Sequence, residues 1–434
     1  MTRVINFIQR IEKKIGLSIR YFLQNGFWVV LGQGVSMLSG LLLSVLFARY
    51  ASKELYGQYQ YVLSVIGIFS LFSLNGLNLS VMKAVIDGHE ASLNRAVRYS
   101  FFTSLFASPL LAVFALYHYM QGSTEIGAAM LVAACVFPFI YSTNTWTAFY
   151  EAKKQFSKVA FRVMVLQVSV PAAILLTLFS AKRLPFLVAA YGIVTAIVHL
   201  IFYWQTRQLV VGKSDTMDVP LGIKVTVQKF SQTINAALPL LVIPWLYSFK
   251  EAAVFSIAFF LANFMGSITS TVTSIYIPRF LEVGFLSRIY VKKLFFYTLV
   301  MGLCVTVIFW MGTRLFFVTL YGKEYSDSLR ILFFIIPIFI FYPLRALTGH
   351  YLTVVNQNMQ LIAINAASQA AGLVVLFFSY SRYSYSAVLA SYYLAMMGTL
   401  IALYVVRFLY LNRRSNQIVP TQGSPIASSQ LPQG

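Results

Sequence analysis

The residues of this chain that could do chemistry are polar side chains set at helical spacing inside apolar stretches. Asn263, Ser267, Ser270 and Ser274 follow at intervals of four, three and four, which stacks them on one helix face. Ser64, Gly67, Asn75 and Asn78 mark a comparable stripe upstream, and Ser36, Gly40 and Ser44 a third. Gln232 with Asn235, and Asn365 with Gln369, are shorter versions. An unpaired polar group is costly in hydrocarbon, so these faces point at one another or at a wet cavity. Small and polar residues also glue helices together in lipid, which is the plainer reading for any one of them. For the paired stripes at 64–78 and 263–274 a cavity is the favoured reading.

Cations close these stretches. Lys83 and Arg279 follow the two main stripes at matching positions, Arg49 ends the first apolar stretch, and Arg345 lies inside one, just after Pro343. A charge at a spanning-helix centre costs about 2.5–3.5 kcal/mol on insertion scales, so Arg345 faces a cavity or snorkels. As a group these four could form a basic mouth for a phosphorylated lipid, because the guanidinium fork matches phosphate oxygens. The bland alternative is that each is an orientation or snorkelling charge. All twelve Asp and Glu residues fall in loops or at span ends, so no carboxylate stands ready to carry an ion across. His118, His199 and His350 also fall near span ends, which leaves a histidine relay without support.

The elements that position these residues follow from composition. Of the 434 residues 59% are hydrophobic and 10% charged, against about 25% charged in soluble domains. Lipid is therefore the main solvent. The net charge of +21 is scattered between apolar stretches rather than gathered on one domain, which reads as orientation signal and headgroup contact and not as a nucleic-acid surface. Cys135 and Cys304 lie in apolar stretches without a metal-type partner spacing, so neither a disulfide framework nor a metal site is expected. No cleavable signal peptide is read at the N-terminus.

A spanning helix needs about 20 mainly apolar residues. Twelve candidate segments are 27–48, 58–81, 99–119, 126–148, 163–180, 185–204, 231–249, 253–277, 294–316, 329–350, 361–380 and 386–408. With the N-terminus in the cytoplasm, 24 of the 33 Lys and Arg fall inside and nine outside, so both ends are expected in the cytoplasm. Residues 1–26 fit an amphipathic surface helix. Residues 205–230, with the turn-rich GKSDTMDVP, read as a linker between an N-terminal six-helix bundle (27–204) and a C-terminal one (231–410). Residues 411–434 are expected to form a disordered tail. An offset of 196 pairs Gly67 with Asn263, Asn75 with Thr271, Asn78 with Ser274 and Lys83 with Arg279. An even number of spans per half makes such repeats parallel, a transporter arrangement. Pro239, Pro244, Pro337 and Pro343 mark hinges.

Enzyme signatures are missing: there is no Walker sequence, no HExxH, no CxxC and no Asp-rich cluster. The longest outer loop, about a dozen residues, is too short to hold a catalytic domain.

The stretch NGFWVVLGQGVSMLSGLLLSVLFARYASKELYGQYQYVLSVIGIFSLFSLNGLNLSVMKAVI (25–86) resembles the opening of the Wzx-type polysaccharide flippases. LYGKEYSDSLRILFFIIPIFIFYPL (320–344) and NQNMQLIAINAASQAAGLVVLFF (356–378) are similar to that family's tenth and eleventh spans. The resemblance implies a member of the multidrug/oligosaccharidyl-lipid/polysaccharide exporter superfamily, all-α, with two pseudo-symmetric six-helix bundles in a V. It implies a bacterial inner-membrane flippase moving an undecaprenyl-pyrophosphate-linked repeat unit outward for O-antigen or capsule assembly. Arg49 and Lys83 match the family's basic cavity by motif position. Membrane lipids, a polysaccharide polymerase and chain-length machinery are the expected partners, with no cofactor. The competing readings are a drug/cation antiporter of the same superfamily, a membrane glycosyltransferase or glycan polymerase, and a non-transporting scaffold. The first usually relies on an intramembrane carboxylate. The second needs catalytic carboxylates or a large outer loop.

Overall fold

The computed structural model describes residues 19–273, 280, 288–355 and 357–418. The expected surface helix at the N-terminus, Ser274, Arg279 and most of the expected tail lie outside them.

Among the described residues, twelve helical rods overlap the twelve apolar segments. They are α1 (Ile19–Tyr50), α2 (Lys53–Ser73 with Leu77–Ile86), α3 (Ser92–Met120), α4 (Thr124–Ala152), α5 (Phe156–Ser180), α6 (Leu184–Arg207), α7 (Val219–Leu246), α8 (Phe249–Thr273), α9 (Arg288–Tyr321), α10 (Lys323–Val354), α11 (Asn358–Ser379) and α12 (Tyr385–Ile418). Ten are long and apolar enough to cross a membrane, and the bent α2 makes eleven. The remaining rod, α7, has 28 residues, ample for a span, but carries Gln228, Lys229, Gln232 and Asn235.

The pairings of these rods repeat. α1 packs on α5 as α7 packs on α11; α3 on α4 as α9 on α10; α4 on α6 as α10 on α12; α5 on α6 as α11 on α12. Adding six to each helix number maps one set onto the other, which is the packing of two related six-helix bundles. The halves meet mainly where α2 runs along α7 and α8, while α1 touches α8 and α9 over a few residues. Glycine permits the closest approach. A Cβ on Gly57 of α2 would sit 1.8 Å from the Phe249 carbonyl oxygen of α8, and one on Gly76 would sit 2.2 Å from the Gly222 carbonyl oxygen of α7. Small residues let helix backbones meet in lipid.

Two boundaries differ from the sequence expectation, and span two carries a bend. The linker is not 205–230 but only 208–218, because α7 starts at Val219. Asp218 caps it, accepting a hydrogen bond from the Leu221 N–H at 3.0 Å, and Pro220 suits the first turn. Lys224 and Lys229 made this helical start look like a loop. At the other terminus α12 continues to Ile418, past the 411 boundary. Span two is not straight but bent by 43°. The break follows Leu74, whose φ of 49° is left-handed. Prolines act unevenly: α10 is interrupted by a 3-10 segment at Ile336–Phe341, whereas α7 stays helical through Pro239 and Pro244.

The linker is tied to the α2–α3 turn. The Val211 N–H donates to Glu90 Oε2 at 2.8 Å, and Glu90 also pairs with Lys153 at 2.6 Å. Arg95 pairs with Asp215 at 3.5 Å, and Ser214 Oγ lies 2.7 Å from His89 Nδ1. This end of the bundle is called the linker end below, and the opposite one the far end.

Candidate functional site

Three cavities lie along α2 and share lining residues. The first, about 370 Å³, opens among α1, α2, α4, α5 and α6 and includes Tyr59, Gln60, Tyr141, Asn144, Gln167 and Tyr191. The second, about 290 Å³, lies between the halves among Gln60, Ser64, Gly67, Thr233, Ser256 and Asn263. The third, about 290 Å³, sits at the bend of α2 among Ser70, Asn75, Asn78, Asn144, Thr226 and Lys229. Gln60, Leu63 and Phe260 line both the first and second. Asn144 joins the first to the third, and Thr233 the second to the third. The three are thus neighbours: one within the N-terminal bundle, one between the halves and one at the bend of α2.

The third cavity is built around three amides and one cation. Asn144 Nδ2 donates to Asn75 Oδ1 at 3.4 Å, and Asn78 Nδ2 donates to Asn144 Oδ1 at 3.5 Å. The Lys229 ammonium donates weakly to the Asn75 carbonyl at 3.5 Å. Gly76 N–H donates to Thr226 Oγ1 at 2.9 Å, which closes the seam behind it. The bend of α2 is what turns Asn75 and Asn78 inward. Glu151, at the end of α4, lies near enough to Lys229 for the two charges to interact. Lys229 is thus held by one weak hydrogen bond and a longer-range charge, and its other donors remain for a ligand.

The expected site residues fall in several places. Asn75 and Asn78 line the third cavity and Asn263 the second. Ser267 is half-buried further along α8, its carbonyl accepting from Thr271 Oγ1 at 2.9 Å. Arg345 lies against that same helix: a Cβ on Gly266 would meet its Nη2 at 3.3 Å. Its guanidinium sits 5.3 Å from the Tyr342 ring, and its Nε is buried without a hydrogen-bond partner among the described residues. Ser270 Oγ lies 3.5 Å from His350 Nε2. Lys83 is exposed at the linker end, outside the three cavities. Its expected counterpart Arg279, like Ser274, lies outside the described residues. Arg49 stands at the far end, where its Nε donates to the Leu320 carbonyl at 2.8 Å and its Nη2 to the Thr319 carbonyl. Asn235 and Asn365 meet as helix glue: Asn235 Nδ2 donates to Asn365 Oδ1 at 3.4 Å, and Asn365 Nδ2 to Ser231 Oγ at 3.0 Å. Gln369 Nε2 donates to Tyr392 Oη at 3.0 Å.

Lys229, Asn144, Gln60, Gln167, Tyr141 and Tyr191 were not singled out from sequence. Lys229 had a usable signal. The Asp218-x-Pro220 start places it well inside a helix, not in a linker. The others are single polar residues in apolar spans, and their orientation has no local signature.

A family model described as polysaccharide biosynthesis protein matches residues 22–290. The chain belongs to that family. No curated protein matches the chain by sequence. Solved structures do resemble this polysaccharide biosynthesis family member. One is an inward-facing multidrug resistance MATE family transporter of the MOP superfamily, at TM-score 0.61 and 12% identity, covering 90% of this chain and 98% of that one. An outward-facing form of such a transporter gives TM-score 0.60 and 13% identity, covering 92% and 96%. The eukaryotic MATE transporter AtDTX14 gives TM-score 0.59 and 13% identity, covering 90% and 99%. The family member therefore shares the fold of these MATE structures, with ten to eleven helices among the described residues long and apolar enough to cross a membrane.

Proposed function

We propose that this protein is a flippase that carries a lipid-linked oligosaccharide repeat unit across the membrane. The observation that supports it most directly is Lys229 beside Asn75, Asn78 and Asn144 in the cavity at the bend of α2, which shares lining residues with the other two. The excess of Lys and Arg supports placing this end in the cytoplasm. A polyprenyl diphosphate entering from the inner leaflet would meet the Lys229 ammonium first. Three amides beside it could take phosphate oxygens or the first sugar hydroxyls. Arg345, whose Nε has no hydrogen-bond partner among the described residues, would offer a second cation, and Lys83 would draw anionic headgroups to the entrance. Asn263 and Ser267 would face the glycan between the halves. The prenyl tail would stay in lipid.

The proposed cargo is an undecaprenyl-pyrophosphate-linked unit for O-antigen or capsule assembly in the bacterial inner membrane, with both chain ends cytoplasmic. A polymerase and chain-length machinery would receive it outside. No Asp or Glu lines the three cavities among the described residues, which weighs against a drug/cation antiporter.

The test is reconstitution. Purified protein in vesicles that contain a polyprenyl-diphosphate oligosaccharide should make that glycan accessible at the opposite leaflet to an added lectin. Lys229→Gln should slow this by about tenfold, the effect of one lost charge-assisted hydrogen bond. Transfer no faster than in protein-free vesicles would sink the reading.

A further inference from the structure

The first cavity differs in chemistry from the other two. Among the described residues no Lys, Arg, Asp or Glu lines it. Phenols, amides and hydroxyls stud walls that are otherwise apolar, with Leu43, Leu166, Val170 and Ile174 beside the aromatic faces. The one titratable ring with a basic nitrogen is His199. Trp146 Nε1, which can only donate, lies 3.1 Å from His199 Nδ1, so that nitrogen accepts and the ring is neutral. Phe47 stacks between Tyr56 and Tyr59 with centroids 5.0 Å and 4.8 Å away, each 21° from parallel, forming a rigid aromatic wall. The Tyr141 and Tyr191 hydroxyls lie side by side on the cavity lining, close enough to interact with each other. Thr195 Oγ1 gives its hydrogen to the Tyr191 carbonyl and keeps its lone pairs. The side-chain amide of Gln167 has no hydrogen-bond partner among the described residues. At about 370 Å³ the space falls in the small-molecule range.

We propose that this cavity in the N-terminal bundle is a glycan subsite selective for uncharged sugars. A pyranose presents a ring of C–H bonds on one face and hydroxyls round its edge. Aromatic walls suit the first, and amides and phenols suit the second. A carboxylated sugar would have to leave water for a space with no cation to meet it, which is strongly unfavourable. Asn144 lies on both this cavity and the Lys229 cavity, so one bound molecule could place its phosphate at Lys229 and its sugar here. The inference rests on the flippase reading and deepens it by naming the substrate class. The charge at Lys229 would hold the anchor common to all such lipids, and the neutral cavity would choose the sugar.

The experiment uses the full chain in detergent and four probes: polyprenyl diphosphate alone, the same lipid bearing N-acetylglucosamine, the same lipid bearing glucuronic acid, and free diacetylchitobiose. The wild-type protein should bind the N-acetylglucosamine lipid about tenfold more tightly than the glucuronate lipid. Gln167→Leu should weaken the N-acetylglucosamine lipid about three- to tenfold and leave the bare lipid unchanged. Should Gln167→Leu fail to fold, Tyr191→Phe, which removes only a hydroxyl, carries the same comparison. Equal affinity for neutral and acidic lipids, or variants that bind all probes as wild type does, would overturn the subsite. Loss of every lipid probe with retained binding of free diacetylchitobiose would instead overturn the flippase reading and keep the subsite.

Discussion

The Arg49 guanidinium caps the C-terminus of α9, with Nε 2.8 Å from the Leu320 carbonyl oxygen. The last carbonyls of a helix lack intrahelical partners and carry the negative end of its dipole, so a cation there is doubly satisfied. Two more links flank it: the Lys53 ammonium donates to the Glu324 carbonyl, and Ser44 Oγ lies 2.9 Å from Tyr321 Oη. Residues from α1 and α2 thereby tie the N-terminal bundle to α9 and α10 at the far end. Arg49, expected from its motif position to bind substrate, is placed by the structure in this tie.

Arg49→Gln should loosen the far end. Exposed charge-assisted bonds are weakened by water, so the loss is about 1–1.5 kcal/mol, close to tenfold in population. Spin labels at Tyr50 and Lys323 should report a longer distance between the halves in the variant. An unchanged distance distribution would show that the cap does not hold the halves together.

Gly57→Ala should destabilise the joint between α2 and α8. The new methyl would overlap the Phe249 carbonyl, which is backbone and cannot swing aside. Overpacking of this kind costs about 1–3 kcal/mol. The thermal unfolding midpoint of the purified protein should fall. Gly34→Ala, where nothing lies within 4 Å of the added carbon, is the matched control and should leave it in place.

Lys229→Arg should preserve most transport, while Lys229→Glu should abolish it. The arginine keeps the charge and the donors, and the glutamate puts like charge beside phosphate and beside Glu151. Surface abundance measured alongside should be the same for both. Wild-type transport by the glutamate variant would remove Lys229 from the headgroup site.

The linker should loosen in acid. Burial opposes the charge on Glu90, but the Lys153 ammonium and the Val211 N–H outweigh it and hold the carboxyl below the usual carboxylate range. A depressed folded-state value means the stabilisation is complete above the ordinary carboxylate pKa and is lost as pH falls through the lower, folded one. Limited proteolysis at 208–218 should therefore rise on acidification below about pH 4. Glu90→Gln should be cut as readily at neutral pH as wild type is in acid. A variant as resistant as wild type would show that the linker is held by other contacts.

The linker boundary shows how far sequence reading reaches. Apolar length and charge placement located twelve rods, because transfer to lipid is nearly additive over neighbouring residues. The same pattern misread the start of α7, because a helix projecting from lipid into water looks polar. The Asp218 cap was the better guide. Polar spacing picked out Asn75, Asn78 and Asn263, which line cavities. It could not separate them from Asn365, whose amide is spent on Ser231. The two cases have the same local signal, and which helix stands opposite decides between them.

By itself the sequence determined that this is a membrane protein of many long apolar helices, since burial in lipid acts on each segment independently. Only the tertiary structure decided that α2 bends at Leu74 to turn Asn75 and Asn78 inward. It alone showed Arg49 bonded to the end of α9, Lys229 lining the cavity at the bend of α2, and the N-terminal cavity lined by no Lys, Arg, Asp or Glu among the described residues. Each of these depends on how helices distant in sequence are rotated and seated against one another, and that is set by close packing at places such as Gly57 and Gly76.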